Sequence, residues 1–252
     1  MAMSKICLVQ GGGRGLGLAL VRRLLAADES SRVIATARDP KSHSALAELA
    51  QQHGERLQTC ALDLADGASI AAAREQVGTL TSRLDLLITC GGILHEGKHM
   101  WPEKKLADVN PDNLARAFAV NAAGPILMIK HFHDLLIHGE RAVIASLSAR
   151  VGSISDNGYG GWYAYRASKA AQNQLTRTAA IELRRRSKQL VCVGLHPGTV
   201  DTGLSEPFQR NVPEKQLQTP DTAAQHLLEV IAKLTPEDSG QLFDWAGKVI
   251  AP

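Results

Sequence analysis

Short apolar runs alternate along this chain with longer segments in which apolar residues recur at helical spacing. The first run covers residues 6–9, and the segment after it carries Leu16, Leu20 and Leu24 near one helical face. Short continuous apolar runs are typical of strands buried on both sides, and the periodic segments predict amphipathic helices. The alternation therefore predicts a parallel sheet covered by helices on both faces.

The same pattern continues to the end of the chain. Strands are predicted at residues 6–9, 33–38, 57–62, 84–89, 142–145, 190–195 and 241–243, and helices after the first strand and at residues 44–53, 68–80, 112–138, 162–185 and 221–233. In the long helix 112–138, the core candidates are Leu114, Phe118, Ile126 and Ile129. We expect an α/β fold with a mostly parallel, seven-stranded, doubly wound sheet of the Rossmann type. No internal repeat, low-complexity tract or linker is evident, so residues 1–252 are predicted to form a single domain.

The composition argues against several classes of function. The 252 residues are 44% hydrophobic and 21% charged, as in a typical globular protein, and the net charge is only +3. Such a small and dispersed charge predicts binding neither to nucleic acid nor to a membrane surface. No stretch is long and apolar enough to span a bilayer.

The cysteines and histidines give no sign of a disulfide framework or a metal site. The four cysteines are isolated and lack a CxxC spacing, so reduced thiols in a cytoplasmic protein are expected. The first residues also lack the layout of a signal peptide. His131 and His133 point in different directions on one predicted helix, and no HExxH pattern occurs, so no metal is expected.

A glycine-rich turn separates the first strand from the first helix. Such a turn aims the N–H groups of a helix start at an anion such as a pyrophosphate. A plain loop is the alternative, but the position in the first strand–helix unit favours a nucleotide site. The candidate cofactor-binding residues here are Gly11, Gly13, Arg14, Gly15, Leu16 and Gly17.

The end of the second predicted strand indicates which dinucleotide is bound. Sites that prefer NAD place an acidic residue there, against the ribose 2′-hydroxyl. This chain has Ala37 followed by Arg38, and Arg14 lies in the glycine turn. Two guanidinium groups without a carboxylate suit a 2′-phosphate, so NADP(H) is predicted; two merely solvated arginines are the alternative.

Tyr165 and Lys169 are four residues apart in a predicted helix and therefore share one face. A neighbouring ammonium is expected to lower the pKa of the phenol, which suits proton transfer near neutral pH. An exposed pair on an ordinary helix is the alternative interpretation.

Together these residues resemble the short-chain dehydrogenase/reductase family over nearly the whole chain. The motif Thr-Gly-x-x-x-Gly-x-Gly matches residues 10–17, with Gln10 in place of the threonine, and Tyr-x-x-x-Lys matches residues 165–169. Within the family, residues 152–166, 196–198 and 240–245 are similar to those of C-factor and sniffer-type carbonyl reductases.

The resemblance implies further site residues. Asn121 resembles the family's helix asparagine, and Asp63 and Leu64 resemble the pair that contacts the adenine ring. The remaining cofactor contacts implied are the floor residues Gly91 and Gly92 and the nicotinamide loop residues Pro197, Gly198, Val200 and Thr202.

This chain departs from the family pattern at two places. Residues 89–92 are Thr-Cys-Gly-Gly where the family has Asn-Asn-Ala-Gly, so we expect a looser cofactor floor. The catalytic serine is also ambiguous. Aligning along the fifth strand selects Ser148, whereas aligning backwards from Gly152 selects Ala149. We choose Ser148, because side chains alternate along a strand and the strand end opens on the cofactor cleft.

The activity implied by the resemblance is hydride transfer between NADP(H) and a small apolar ketone or aldehyde. Tyr165 would give a proton to the carbonyl oxygen, Ser148 would hydrogen-bond that oxygen, and Lys169 would tune Tyr165 and hold the nicotinamide ribose. Asn121 would position a water that links Lys169 to solvent. A lid over the substrate is expected at about residues 203–218.

Two other functions stay open. One is a nonenzymatic NADP(H)-binding sensor or signalling protein of the same fold, and the other is an NAD-dependent alcohol dehydrogenase. The resemblance also implies a homodimer or homotetramer.

Overall fold

The computed structural model describes residues 5–97 and 99–252, except for the side chain of Asn211. Its strands are β1 (Ile6–Gln10), β2 (Arg32–Ala37), β3 (Leu57–Ala61), β4 (Leu86–Thr89), β5 (Ala142–Leu147), β6 (Leu190–His196), β7 (Thr199–Val200), β8 (Leu217–Gln218) and β9 (Leu242–Asp244). Seven of them form one sheet in the order β3-β2-β1-β4-β5-β6-β9, and every neighbouring pair is parallel. The strand order reverses beside β1, so a crevice forms between the carboxyl ends of β1 and β4.

Seven α-helices occur in the described part of the chain. They are α1 (Gly15–Ala27), α2 (Ser44–His53), α3 (Gly67–Leu80), α4 (Pro111–Phe118), α5 (Gly124–Phe132), α6 (Tyr163–Arg186) and α7 (Pro220–Lys233). Helices α1, α2 and α7 share a core with one face of the sheet. Helices α3, α5 and α6 share a core with the other.

Alternation along the strands creates these two cores. Val9 of β1 belongs to the core under α1, while its neighbour Leu8 belongs to the core under α3 and α5, and both are 0% exposed. Successive side chains of a strand point to opposite faces, so a strand covered on both sides must be apolar throughout. This explains why the strands appear as continuous apolar runs. The predicted fold class is confirmed, and the sheet is parallel throughout.

The predicted long helix over residues 112–138 is helical from Pro111 to Leu136, but it is not α-helical throughout. The chain forms α4, then a π turn at Ala119–Ala123, then α5, and it ends in a 3-10 turn at His133–Leu136. Apolar periodicity could not reveal the π turn, because the apolar spacing continues through it. Phe118, a predicted core residue, is 39% exposed.

Most other boundaries shift by one or two residues. β5 continues two residues beyond its predicted end, to Leu147, and β7 and β8 were not predicted at all. These two short strands pair in parallel and join the two ends of the segment at residues 203–218. Among the described residues, no helix combines the length and hydropathy needed to cross a membrane.

Candidate active site

The predicted site residues converge at the carboxyl edge of the sheet. Gln10 ends β1, Gly91 and Gly92 follow β4, and Ser148 follows β5. Helix α6 carries Tyr165 and Lys169 across the same edge, since Lys169 Nζ donates to the carbonyl oxygen of Leu147 at 2.9 Å. Residues as far apart in sequence as Gln10 and Lys169 therefore surround one crevice.

The glycine turn has the shape required for a close approach of an anion. Gly11 and Gly15 have φ values of +80° and +51°, and a Cβ on Gly17 would lie 2.1 Å from the carbonyl oxygen of Gly11. No side chain caps the start of α1, and no acidic residue lies in its first turn. The first N–H groups of α1 therefore lack a side-chain partner, as at a phosphate-binding helix start.

Both arginines predicted to favour a 2′-phosphate are available for that role. Arg14 and Arg38 are exposed, and neither guanidinium has a hydrogen bond or ion pair with a described residue. A hydrogen bond from Arg116 holds the pKa of Glu96 below its ordinary value, and the charge of Arg38 lowers it further. Ala37 is buried and leaves no carboxylate at the end of β2.

The predicted adenine and nicotinamide loops lie around this turn. Asp63 Oδ1 accepts the Ala65 N–H at 2.9 Å, and Leu64 packs beside Gly91 and Gly124, where added Cβ atoms would lie 2.8 Å and 2.4 Å from its side chain. The second loop reaches the first helix directly, because a Cβ on Gly15 would lie 3.2 Å from Thr202 Cγ2. Its other members are Pro197, whose carbonyl accepts a hydrogen bond from Gln218, Gly198 at a φ of +77°, and buried Val200.

The Gln10 side chain has a structural role that the sequence analysis did not assign to it. Its side chain is 4% exposed, and its Oε1 accepts the Gly91 N–H at 2.9 Å. Gln10 therefore ties the loop at residues 89–92 to the end of β1, a contact that opposes the expected loosening of the cofactor floor. The sequence contained a clue to this contact, since Gln10 and residues 89–92 both differ from the family pattern and lie at the ends of neighbouring strands.

Tyr165 lies in apolar surroundings. It is 9% exposed and belongs to one buried cluster with Leu94 and Ala149. Its hydroxyl makes no hydrogen bond with any described residue. Burial raises the pKa of Tyr165 to about 12, so the lowering expected from the neighbouring lysine is not found in this structure.

Lys169 is buried in the same wall. Its Nζ lies 5.9 Å from the centre of the Tyr165 ring and donates to Leu147 O at 2.9 Å and Gln172 Oε1 at 2.8 Å. Burial lowers the pKa of Lys169 to about 7. Two acceptors match the two N–H groups of a neutral amine, which is why burial without a carboxylate partner is tolerated.

Asn121 is placed by the π turn. Its side chain accepts the Ile93 N–H at 2.8 Å and donates to Ile93 O and to Ser168 Oγ at 2.8 and 3.0 Å. A Cβ on Gly92 would lie 3.4 Å from Asn121 Oδ1 and 3.7 Å from Lys169 Nζ. The Asn121 amide and the Lys169 amine therefore border the space over Gly92. A side chain at position 92 would occupy that space.

Ser148 is turned toward helix α6. Its Oγ donates to Asn173 Oδ1 at 2.6 Å, and the side chain is 5% exposed. The residue that shares the Tyr165 cluster is Ala149. Of the two alignments left open by the sequence, the one that places Ala149 beside the tyrosine agrees with this geometry. The parity argument for Ser148 does not apply, because β5 ends at Leu147, before either residue.

An aromatic wall extends from Tyr165 to the segment at residues 203–218. The Trp162 ring lies 6.2 Å from the Tyr165 ring and 5.2 Å from the Phe208 ring, measured between centroids. Phe208 also contacts Trp101 and His95, each at 5.8 Å, and His95 Nε2 lies 3.0 Å from the carbonyl oxygen of Gly203. The sequence analysis included neither Trp101 nor His95 among the site residues, because nothing local shows that their loop faces Phe208.

One group of possible metal ligands lies at the opposite edge of the sheet. Asp85, His138 and Glu140 place ligand atoms within 4.8 Å of one another. Arg83, however, donates to both carboxylates, and His138 Nε2 lies 2.9 Å from the carbonyl oxygen of Leu84. The group is explained as a network around an arginine.

A doubly wound parallel sheet with a glycine turn and a Tyr-x-x-x-Lys helix at its carboxyl edge defines a dinucleotide-dependent oxidoreductase fold. The chain belongs to the short chain dehydrogenase family, whose sequence profile matches residues 5–213.

Two solved structures and one curated relative illustrate the likeness. The NADPH-bound carbonyl reductase from chicken fatty liver is 33% identical, with 99% of each chain covered and a TM-score of 0.87. Carbonyl reductase Sniffer of Drosophila melanogaster is 25% identical, with 99% of this chain and 100% of that chain covered and a TM-score of 0.85. The C-signal of Myxococcus xanthus is 36% identical over 167 residues, which are 66% of this chain and 92% of the relative. The predicted likeness to C-factor and sniffer-type proteins is confirmed.

Proposed function

We propose that this protein is an NADPH-dependent carbonyl reductase that acts on small apolar ketones or aldehydes. The observation that carries the proposal is the Tyr165 hydroxyl, which has no hydrogen-bond partner among the described residues and stands one helical turn from Lys169 at the carboxyl edge of the sheet. A phenol in that position is free to bond a carbonyl oxygen.

The residues of the crevice fit NADP(H). Gly11, Gly15 and Gly17 keep side chains out of the turn, and the uncapped start of α1 offers N–H groups to a pyrophosphate. Arg14 and Arg38 would hold a 2′-phosphate. Asp63 and Leu64 would contact the adenine ring, and the loop at 197–202 would hold the nicotinamide ring. NADPH supplies a hydride when bound, and this chemistry belongs to the cofactor. The NADPH-bound carbonyl reductase among the similar structures supports the same choice.

The protonation state of Tyr165 suits the role of proton donor in carbonyl reduction. With a pKa of about 12, the phenol holds its proton at neutral pH, as an acid for a carbonyl oxygen must. Alcohol oxidation would need the phenolate, which apolar surroundings disfavour. Tyr165 therefore donates both the hydrogen bond and the proton to the developing oxyanion.

Lys169 replaces the proton that Tyr165 gives up, and Asn121 helps to position the relay that connects Lys169 to solvent. With a pKa of about 7, Lys169 binds and releases a proton in the range in which the reaction would run. Asn121 and Lys169 both border the space over Gly92, which suits a small relay group between them. Ser148 could contribute a hydrogen bond to the substrate only by leaving Asn173.

The aromatic wall supports an apolar substrate and a lid. Phe208 belongs to the segment at 203–218, and its ring contacts Trp162 and Trp101 on the fixed side of the crevice. We infer that the chain forms a single domain in which the segment at residues 203–218 is the lid over the substrate.

The free thiols of all four cysteines fit the cytoplasmic location expected from the sequence. Exposed Phe118 and Ile181 on α4 and α6 fit the expected homodimer or homotetramer, which size-exclusion chromatography would test.

The test is turnover of NADPH with a panel of apolar ketones, aldehydes and quinones, with NADH as the comparison. We expect NADPH oxidation with at least one substrate, and loss of turnover in Tyr165→Phe with the NADPH dissociation constant changed less than about twofold, since the phenyl ring preserves the packing. Binding of NADPH without turnover on the panel would instead support the nonenzymatic sensor. Full activity of Tyr165→Phe would refute the assigned proton donor.

A further inference from the structure

Glu103 is a buried acidic residue that the reaction described above does not use. It lies in the loop between β4 and α4 and is 3% exposed. Its Oε2 accepts the Ala164 N–H at 3.2 Å, and its backbone oxygen accepts the Trp162 N–H at 2.6 Å. Its Oε1 is buried and has no partner among the described residues.

Both contacts are to the start of α6, the helix that carries Tyr165. No side chain of α6 or of the residue preceding it caps this helix start. Four N–H groups at the start of any α-helix lack an intrahelical partner, and a carboxyl group is a good acceptor for them. Glu103 therefore supplies the cap from a distant part of the chain.

The backbone that enters α6 needs such an anchor. Gly160, Gly161 and Trp162 have φ values of +65°, +64° and +52°, and Trp162 is the one non-glycine residue with a positive φ in the described part of the chain. An L-residue in the left-handed region costs on the order of 1 kcal/mol and persists only where its surroundings impose it. Here the surroundings are Glu103 at the backbone and the rings of Tyr165 and Phe208 at the side chain.

We propose that Glu103 is a positioning residue for Tyr165, acting through the first turn of α6 and through Trp162. This inference rests on the proposed role of Tyr165 as proton donor. Removing the carboxyl group leaves the bond from the Trp162 N–H to the Glu103 backbone oxygen as the one hydrogen bond between Glu103 and the start of α6. The first turn of α6 is then held less tightly, and the Tyr165 phenol shifts relative to the crevice. A displacement of about 1 Å at a reacting group can cost about a hundredfold in rate.

The test compares Glu103→Asp, Glu103→Ala and Glu103→Gln with wild type in NADPH-dependent reduction of a panel substrate. Aspartate is too short to reach Ala164, alanine lacks the acceptor, and glutamine keeps both length and acceptor. Asp108→Ala is the matched control, because Asp108 Oδ2 caps Lys104 and Lys105 in the same loop without touching α6. For each variant, kcat, KM, the NADPH dissociation constant and the thermal midpoint are measured.

We expect Glu103→Asp and Glu103→Ala to lose about tenfold or more in kcat, with the NADPH dissociation constant changed less than about twofold, and Glu103→Gln to stay within about threefold of wild type. Wild-type kcat in Glu103→Asp would overturn the proposal, even if Glu103→Ala did not fold. A loss in Glu103→Gln as large as in Glu103→Ala, or an equal loss in Asp108→Ala, would also overturn it. Tyr165→Phe is run in parallel. If that variant keeps its turnover, the assigned proton donor has failed, whatever the Glu103 variants do; if wild type oxidises NADPH with no panel substrate, the proposed function itself has failed.

Discussion

The Ser148 hydroxyl donates a 2.6 Å hydrogen bond to Asn173 Oδ1, so it is committed to helix α6. Its neighbour Ala149 shares a buried cluster with Tyr165. In the second alignment, the position of the catalytic serine, whose hydroxyl would help to bind a developing oxyanion, therefore carries a methyl group within the cluster of Tyr165. This arrangement separates the role of Ser148 from that of the family's catalytic serine.

We predict that Ala149→Ser raises kcat for carbonyl reduction by about tenfold, because it adds a hydrogen-bond donor beside Tyr165. Removing one donor from a preorganised oxyanion site costs about 10²–10³-fold in kcat, and an added donor without designed support should recover only part of that. Steady-state kinetics with NADPH and one panel substrate measure the change.

Ser148→Ala is the matched variant. We expect it to keep kcat within about threefold and to lose about 1 kcal/mol in the free energy of unfolding, since Asn173 loses a hydrogen bond. A folded Ser148→Ala protein that binds NADPH but has lost turnover would restore Ser148 as the catalytic serine.

The Gln10 side chain connects the ends of β1 and β4 through its bond to the Gly91 N–H. We predict that Gln10→Ala lowers the free energy of unfolding by about 1 kcal/mol, because the half-buried Gly91 N–H loses its acceptor. The NADPH KM should rise as well, since the loop lies at the crevice floor. Urea unfolding and initial rates measure both effects. Gln58→Ala on β3 is the control, and equal losses in both variants would contradict the assigned role.

The sequence was sufficient for the fold because the fold depends on patterns that span several residues. Helix α2 begins and ends at the predicted residues, Ser44 and His53. Most of the other predicted strands and helices are present but begin or end one or two residues from the predicted positions. Buried strands need continuous apolar runs and covering helices need periodic ones, so both signals persist even when single positions vary.

The site was predictable in its members but not in its details. The π turn at Ala119–Ala123, the left-handed Trp162 and the Glu103 cap depend on contacts between distant segments, which no local pattern encodes. The pKa of Tyr165 was predicted in the wrong direction, because spacing reveals that Lys169 is near but not that both groups are buried. Burial then outweighs the charge.

Arg38 follows the buried end of β2 and is free of protein partners among the described residues. We predict that Arg38→Gln lowers kcat/KM for NADPH by about tenfold or more, because a charged hydrogen bond to a phosphate is worth about 1.5–3 kcal/mol. The value for NADH should change less than about twofold.

Arg22→Gln serves as the control, since Arg22 is an exposed arginine on helix α1. If Arg38→Gln lowered the kcat/KM for NADPH and NADH equally, Arg38 would not be reading the 2′-phosphate.

Lys169 gives the fold a measurable pH dependence. Burial lowers the pKa of Lys169 from 10.5 to about 7 in the folded protein. Between these two pH values the unfolded chain binds a proton that the folded chain does not, so stability rises with pH across this window. The contribution of Lys169 is therefore complete above the unfolded pKa and is lost as the pH falls through the folded pKa.

We predict that the free energy of unfolding of wild type, minus that of Lys169→Met, increases by about 1 kcal/mol per pH unit between pH 8 and pH 10. Subtraction removes the titrations that both proteins share, and the lost hydrogen bonds to Leu147 and Gln172 add only an offset that does not vary with pH. Urea unfolding at four pH values measures the slope. Lys233→Met, which removes an exposed lysine of α7, is the control. A flat difference for Lys169→Met, or the same slope for Lys233→Met, would mean that Lys169 keeps its proton in the folded protein, and the relay role assigned to it would then be untenable.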